Sequence, residues 1–171
     1  MTPLLESTEF LPDDLSVVAN FNCGAEPWSL AMANWIKSPP TAKFSKKYSS
    51  RDTIVWLYYR PDGDLVGFGS LGTVRWKIDN KQHIFSIIPA LAIQTKYQHL
   101  PHYDKHDINP SFSHQILLDL LERARLQSPD DVVLWVHQDN HKAITLYQKH
   151  FGFEEFPSPP SEQKRMILSL K

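Results

Sequence analysis

At 171 residues, 42% hydrophobic and 12% aromatic, the chain holds one domain's worth of material, enough for a sizeable core and too little for two domains. Its 18 lysines and arginines nearly balance 19 aspartates and glutamates, and the net charge of −1 excludes the strong basic field of a dedicated nucleic-acid binder. The single cysteine, Cys23, excludes an internal disulfide, and no targeting segment or long apolar span is legible, so a soluble, cytoplasmic protein without membrane contact is expected.

In chain order, Pro27 to Lys37 carries Trp28, Ala31, Met32, Trp35 and Ile36 at helical spacing, which predicts a short helix opened by its proline. Thr53 to Tyr59 reads as a strand, Pro61-Asp62-Gly63-Asp64 as a turn, and Leu65 to Val74 as the returning strand of a hairpin. Ile84 to Ile93 is a long apolar run interrupted by Pro89, which cannot donate to a ladder and so predicts a bulge or break within a strand. Ser113 to Leu126 places Ile116, Leu117, Leu120, Leu121 and Ala124 on one helical face, and Pro129 stops it. Val132 to Val136 has the continuous apolar character of a strand covered on both sides, after which Asp139 or Asn140 caps a helix running to about His150. Phe153 to Phe156 and Arg165 to Leu170 close the sheet. The order implies a mixed α/β sheet with a parallel unit at its centre, in a single domain over residues 1–171.

The most specific segment is VVLWVHQDNHKAITLYQKHFGFEE, Val132 to Glu155, in which a buried strand feeds a capped helix bearing Asn140 and, seven positions on, Tyr147. It resembles the C-terminal half of the GNAT superfamily of N-acetyltransferases, whose strand is followed by Asn, Ala, Tyr and Gly-Phe at set spacing. Asn140, Ala143, Tyr147, Gly152 and Phe153 stand at those places here, with one residue more than the usual spacing before the glycine. The hairpin with Leu65-Val66-Gly67-Phe68-Gly69, the strand Ala90-Leu91-Ala92-Ile93 and the helix from Ser113 follow in the family's order. Phe21-Asn22-Cys23-Gly24 is similar to the subset that includes toxins acetylating aminoacyl-tRNA.

The resemblance implies a GNAT-like mixed central sheet of six to seven strands flanked by about four helices. It implies acetyl-CoA as co-substrate and an amine as acceptor. Leu91, Ala92 and Ile93 would pair with the pantetheine arm, Asn140 would hydrogen-bond it, and Tyr147 would protonate the departing thiolate. The family's glycine-rich phosphate loop is absent. With Gln98 as its first residue, His99 to Pro110 contains an insertion of about ten residues, and Ser111 and Ser113 take the glycine places before the helix. Two further readings stand beside it: from that departure, a GNAT-fold binding module without catalysis, and from the similarity at Phe21-Asn22-Cys23-Gly24, a toxin-like enzyme acting on aminoacyl-tRNA, the only nucleic acid expected to concern this chain. His99, His102, His106 and His114 lack the cysteines or helical spacing of a strong metal signal, so no metal is expected. Oligomeric state stays open, a homodimer included.

Overall fold

The computed structural model describes residues 4–37, 53–98, 111–127, 131–157 and 161–170. The expected hairpin joins β2 (Ile54–Tyr59) to β3 (Leu65–Ile78), with Gly63 at φ 88° and the Asp64 N–H donating to Asp62 Oδ1 at 3.0 Å in its turn. Beyond the expected end at Val74, β3 runs on to Ile78. There Asp79 (φ 48°) and Asn80 (φ 63°) form a two-residue turn with positive φ at both centres, and the chain returns as β4 (Lys81–Ile88).

Among the described residues the sheet has eight strands, in the order β1-β2-β3-β4-β6-β8-β7 with β5 (Leu91–Ile93) paired to β3. The two beyond the readable six have separate origins. β1 (Glu6–Glu9) adds an edge against β2, and the break at Pro89 divides one apolar run into β4 and β5. β6 (Val132–His137) lies parallel to β4, and β7 (Glu154–Phe156) and β8 (Gln163–Leu168) complete the far side antiparallel.

Among the described residues four α-helices accompany the sheet: α1 (Pro27–Ile36), α2 (Thr95–Gln98), α3 (Phe112–Gln127) and α4 (His141–Thr145), the last continuing as a π-helical turn over Leu146–His150. None of the described helices is long and apolar enough to cross a membrane. α3 buries the predicted stripe, with Ile116, Leu117 and Leu120 fully covered. α1 is turned from its predicted face: Ser29, Ala33 and Ile36 are buried while Ala31 is exposed. Its tryptophans sit at the flanks, Trp35 stacked on Phe68 at 5.8 Å and Trp28 on His137 at 4.9 Å, so the small residues take the close-packed side.

One face of the sheet packs against α3 and the α4 segment, burying Val66, Leu71, Ile88, Val132, Leu134, Val136 and Met166. On β2, β3 and β5, the other face meets α1 and the N-terminal segment through Leu57, Phe68, Ala92, Phe21 and Ile36. Two glycines make these contacts close. A Cβ on Gly69 would stand 2.8 Å from Leu120 Cδ1, and one on Gly67 would collide with the Ala92 carbonyl.

Candidate active site

The site begins as a miscount between neighbouring strands. Gly72 lies opposite Ile87 and Gly69 opposite Leu91, so three steps along β3 face four along the other chain, and one extra residue bulges at Pro89-Ala90. Fully buried Ser70 fastens it. The Ser70 hydroxyl donates to the Ala90 carbonyl at 2.9 Å and accepts the Ala90 N–H at 3.0 Å, while the Ser70 N–H donates to the same carbonyl at 3.0 Å. Before the bulge, Ser86 to Ile88 pair with Val132 to Leu134. After it, β5 follows β3 and has no pairing with β6, so the sheet opens between them.

Backbone polarity along this opening follows from the register. The bonds Gln94 N–H to Val66 O (2.8 Å) and Ser70 N–H to Ala90 O turn even-numbered residues of this stretch toward β3. Leu91 and Ile93 therefore direct their N–H and C=O groups into the opening, whereas Ala92, the third residue expected to serve there, turns its backbone to β3. The Ile93 carbonyl is already engaged: Gln98 Nε2 donates to it and to the Cys23 carbonyl, each at 2.7 Å. Across the gap, Ser86 N–H to Asp131 O (3.1 Å) and Gln138 N–H to Glu162 O (2.8 Å) turn the odd residues of β6 toward β4 and the opening. The Trp135 carbonyl and His137 N–H lie on that rim.

Tyr147 is buried in the π-helical turn, its ring 5.7 Å from Phe153, in the same apolar cluster as Ile93, Val136 and Phe112. Burial pushes its phenol up to about 12, and its hydroxyl has no hydrogen-bond partner among the described residues. The turn also accounts for the extra residue before Gly152. A π turn takes one residue more than an α turn, and the chain then leaves through Gly152 at φ 78°, with Phe153 N–H donating to Tyr147 O at 2.9 Å. Asn140 caps α4: its Oδ1 accepts the Ala143 N–H at 3.3 Å, which leaves its NH2 group unbonded among the described residues.

At the start of α3, Ser111 precedes the first helical residue and accepts Gln115 N–H on its carbonyl at 3.0 Å, while Ser113 lies inside the first turn rather than before the helix. Neither has a positive φ, so the N–H groups of this turn are displayed by helix geometry and not by a glycine loop. His114, 4.5 Å from Phe151 and 6.4 Å from His150 between ring centres, is held below the usual histidine range by burial first and by His150 second. The insertion His99 to Pro110, with its three histidines, lies outside the described residues. Cys23 is structural: its buried thiol donates to Ser29 O at 3.1 Å, and burial pushes it up.

Sequence reasoning missed Ser70, Trp28 and His137 as site residues, and it gave Gln98 a different task, the first place of the phosphate loop, whereas its amide holds the Ile93 and Cys23 carbonyls. Only His137 left a signal, as the polar residue ending an apolar strand. Its Nδ1 accepts the Asp139 N–H at 3.2 Å, and its Nε2 lies 3.8 Å from Glu162 Oε2.

No family model matches the chain, and no curated protein matches it. Solved structures do. The chain is similar to the PaiA N-acetyltransferase of Thermoplasma acidophilum in complex with coenzyme A, at 16% identity over 99% of both chains and TM-score 0.65. A GNAT-family acetyltransferase of Staphylococcus aureus Mu50 aligns at 16% identity over 98% of this chain and 99% of that one, TM-score 0.60. A variant of the toxin AtaT, bound to the C-terminus of the antitoxin AtaR and acetyl-CoA, aligns at 14% identity over 96% and 92%, TM-score 0.61. The chain has the fold these proteins share.

Proposed function

We propose that this protein is an acetyl-CoA-dependent N-acetyltransferase in which an amine attacks the thioester directly, within a ternary complex. The observation that carries the reading is the opening between β5 and β6 behind the Ser70-fastened bulge. It exposes unpaired N–H and C=O groups of Leu91 and the Ile93 N–H, the alternation of donor and acceptor that an amide-bearing pantetheine arm matches as a substitute strand. A closed sheet would offer none of these groups.

The chain's own residues then have distinct tasks. The first-turn N–H groups of α3, with the hydroxyls of Ser111 and Ser113, receive the pyrophosphate, and the Asn140 NH2 group donates to the arm. As the amine nitrogen bonds to the acetyl carbon and the carbon–sulfur bond breaks, Tyr147 gives its phenolic proton to the sulfur, and the amine's surplus proton leaves to solvent. The dry surroundings that raise the phenol raise a thiolate as well, so the ordinary gap in acidity between them does not block the transfer.

Isothermal titration with acetyl-CoA, followed by thiol release with an amine panel, tests the reading. Saturable binding with turnover supports it. Two features favour the alternative of a binding module without catalysis: serines where the family carries glycines, and an Ile93 carbonyl already taken by Gln98. Saturable binding with no turnover on any amine would favour that module, and no binding at millimolar acetyl-CoA would end the acetyl-transfer reading. The toxin-like reading, with an aminoacyl-tRNA as acceptor, is decided by including charged tRNA in the panel.

A further inference from the structure

α3 and the α4 segment cover one face of β6, so an acceptor must reach the opening from the other face, where the odd-numbered residues of β6 point. Those residues are Val133, buried, then Trp135, 48% exposed, then His137 at the rim. Trp28, from the first turn of α1, lies on the His137 ring at 4.9 Å. On the outer side Trp135 meets Trp76 edge-on at 6.2 Å, and the Arg165 guanidinium lies 4.9 Å over Trp76 and 5.8 Å from Trp135, its NH2 donating to the Pro157 carbonyl at 2.6 Å. Four aromatic residues, Trp28, His137, Trp135 and Trp76, therefore form a row along the approach to the opening, and Trp135 is its most exposed member. A half-exposed tryptophan braced by the edge contact of a second ring and by a neighbouring guanidinium is a preset flat platform.

Two carboxylates stand at the inner end. Asp139 and Glu162, with side chains 65% and 83% exposed, stand 3.9 and 3.8 Å from the His137 nitrogens, and neither has a lysine or arginine partner among the described residues. An ammonium group approaching the opening is drawn to this end, while a ring attached to it falls over Trp135.

We infer that the acceptor is a primary amine borne on a flat aromatic group, which stacks on Trp135 with its amine directed past His137 into the opening between β5 and β6. The inference rests on the acetyl-transfer reading and narrows it to a substrate class.

The probes are 2-phenylethylamine and n-butylamine, the variants Trp135→Ala and Trp135→Phe, each checked for an unchanged melting transition. Stacking of ordinary strength gives the native enzyme a KM for phenylethylamine about ten-fold below that for butylamine. Trp135→Ala abolishes this difference by raising the phenylethylamine KM alone, and Trp135→Phe retains most of it. Equal KM values in the native protein, or a preference that survives Trp135→Ala, overturns the inference. If acetyl-CoA does not bind or neither amine turns over, quenching of tryptophan fluorescence by phenylethylamine decides the matter separately. Saturable quenching lost in Trp135→Ala upholds the aromatic-amine site, and quenching identical in both proteins overturns it.

Discussion

The two halves of one apolar run behave oppositely toward the same neighbour. β4 lies against β6 and closes the sheet, whereas β5, three residues further on, leaves β6 and opens it. Composition does not distinguish them, since Ile87-Ile88 and Leu91-Ala92-Ile93 are equally apolar. The difference comes from a single extra residue at Pro89-Ala90 and from Ser70, which supplies by side chain the hydrogen bond that the displaced Ala90 N–H cannot find in the ladder. Slot formation is thus a backbone event, fixed by one buried hydroxyl, and the closed half is the frame that keeps the open half in place.

The largest effect that sharpens this contrast is expected at the open half. Tyr147→Phe keeps the ring packed on Phe153 and removes only the proton donor, so turnover should fall by about 10²–10⁴ with acetyl-CoA affinity nearly unchanged. Unaltered kcat across pH would make Tyr147 a packing residue. The same variant has an alkaline signature. Because burial raises the folded-state phenol from 10.0 to about 12, its contribution is intact below pH 10 and is lost as pH rises from about 10 through 12. The native protein should therefore lose up to roughly 2–3 kcal/mol more than Tyr147→Phe over that interval, measured by denaturant titration at each pH. Tyr58, raised by burial and by its 2.6 Å bond to Asp119, responds equally in both proteins and cancels.

Breaking the contrast itself needs Ser70→Ala. Leaving the Ala90 N–H buried without its acceptor should cost about 1–3 kcal/mol, visible as a lower melting temperature and a weakened response to acetyl-CoA. A stability and affinity equal to native would mean the bulge needs no fastening. Ser113→Pro removes one N–H from the first turn of α3, where proline is tolerated, so roughly ten-fold weaker acetyl-CoA binding with little change in folding is expected by titration. Equal losses in binding and stability would place the phosphates elsewhere. The smallest expected effect is Asn140→Ala, about 1 kcal/mol of stability from the lost cap, read by thermal melting. Any loss of acetyl-CoA affinity beyond that measures what its free NH2 group adds.

Much of this molecule was readable from local signals. Pro89 marked the break, the Pro61 to Asp64 turn marked the first hairpin, and the spacing in α3 named its buried face. The Asp79-Asn80 turn was equally local and was passed over because the polar residues of its flanking strands mask their alternation. What could not be read is what depends on distant pairing. Trp28 meets His137, Gln98 meets Cys23, and Ser70 meets Ala90 only once the sheet has formed. Asn140 and Tyr147 were legible as a pair, yet the π turn that houses Tyr147 appeared in the sequence only as a spacing one residue too long.

Gln98 gives the opening an occupant of its own. By holding the Ile93 and Cys23 carbonyls together, its amide acts as an intramolecular competitor at the edge where a ligand's donor would pair, and as a tether between that edge and the segment leading into α1. A carbonyl oxygen has two lone pairs, so a ligand that claims the Ile93 carbonyl either shares it with the Gln98 amide or displaces that amide, and displacement lowers that ligand's apparent affinity by the worth of one hydrogen bond, about 0.5–1.5 kcal/mol. The exchange is reciprocal. A ligand that displaces Gln98 removes one link to the segment before α1, the bond from Thr95 N–H to the Asn22 carbonyl at 2.9 Å remaining, and whatever shifts that segment alters how readily the slot fills.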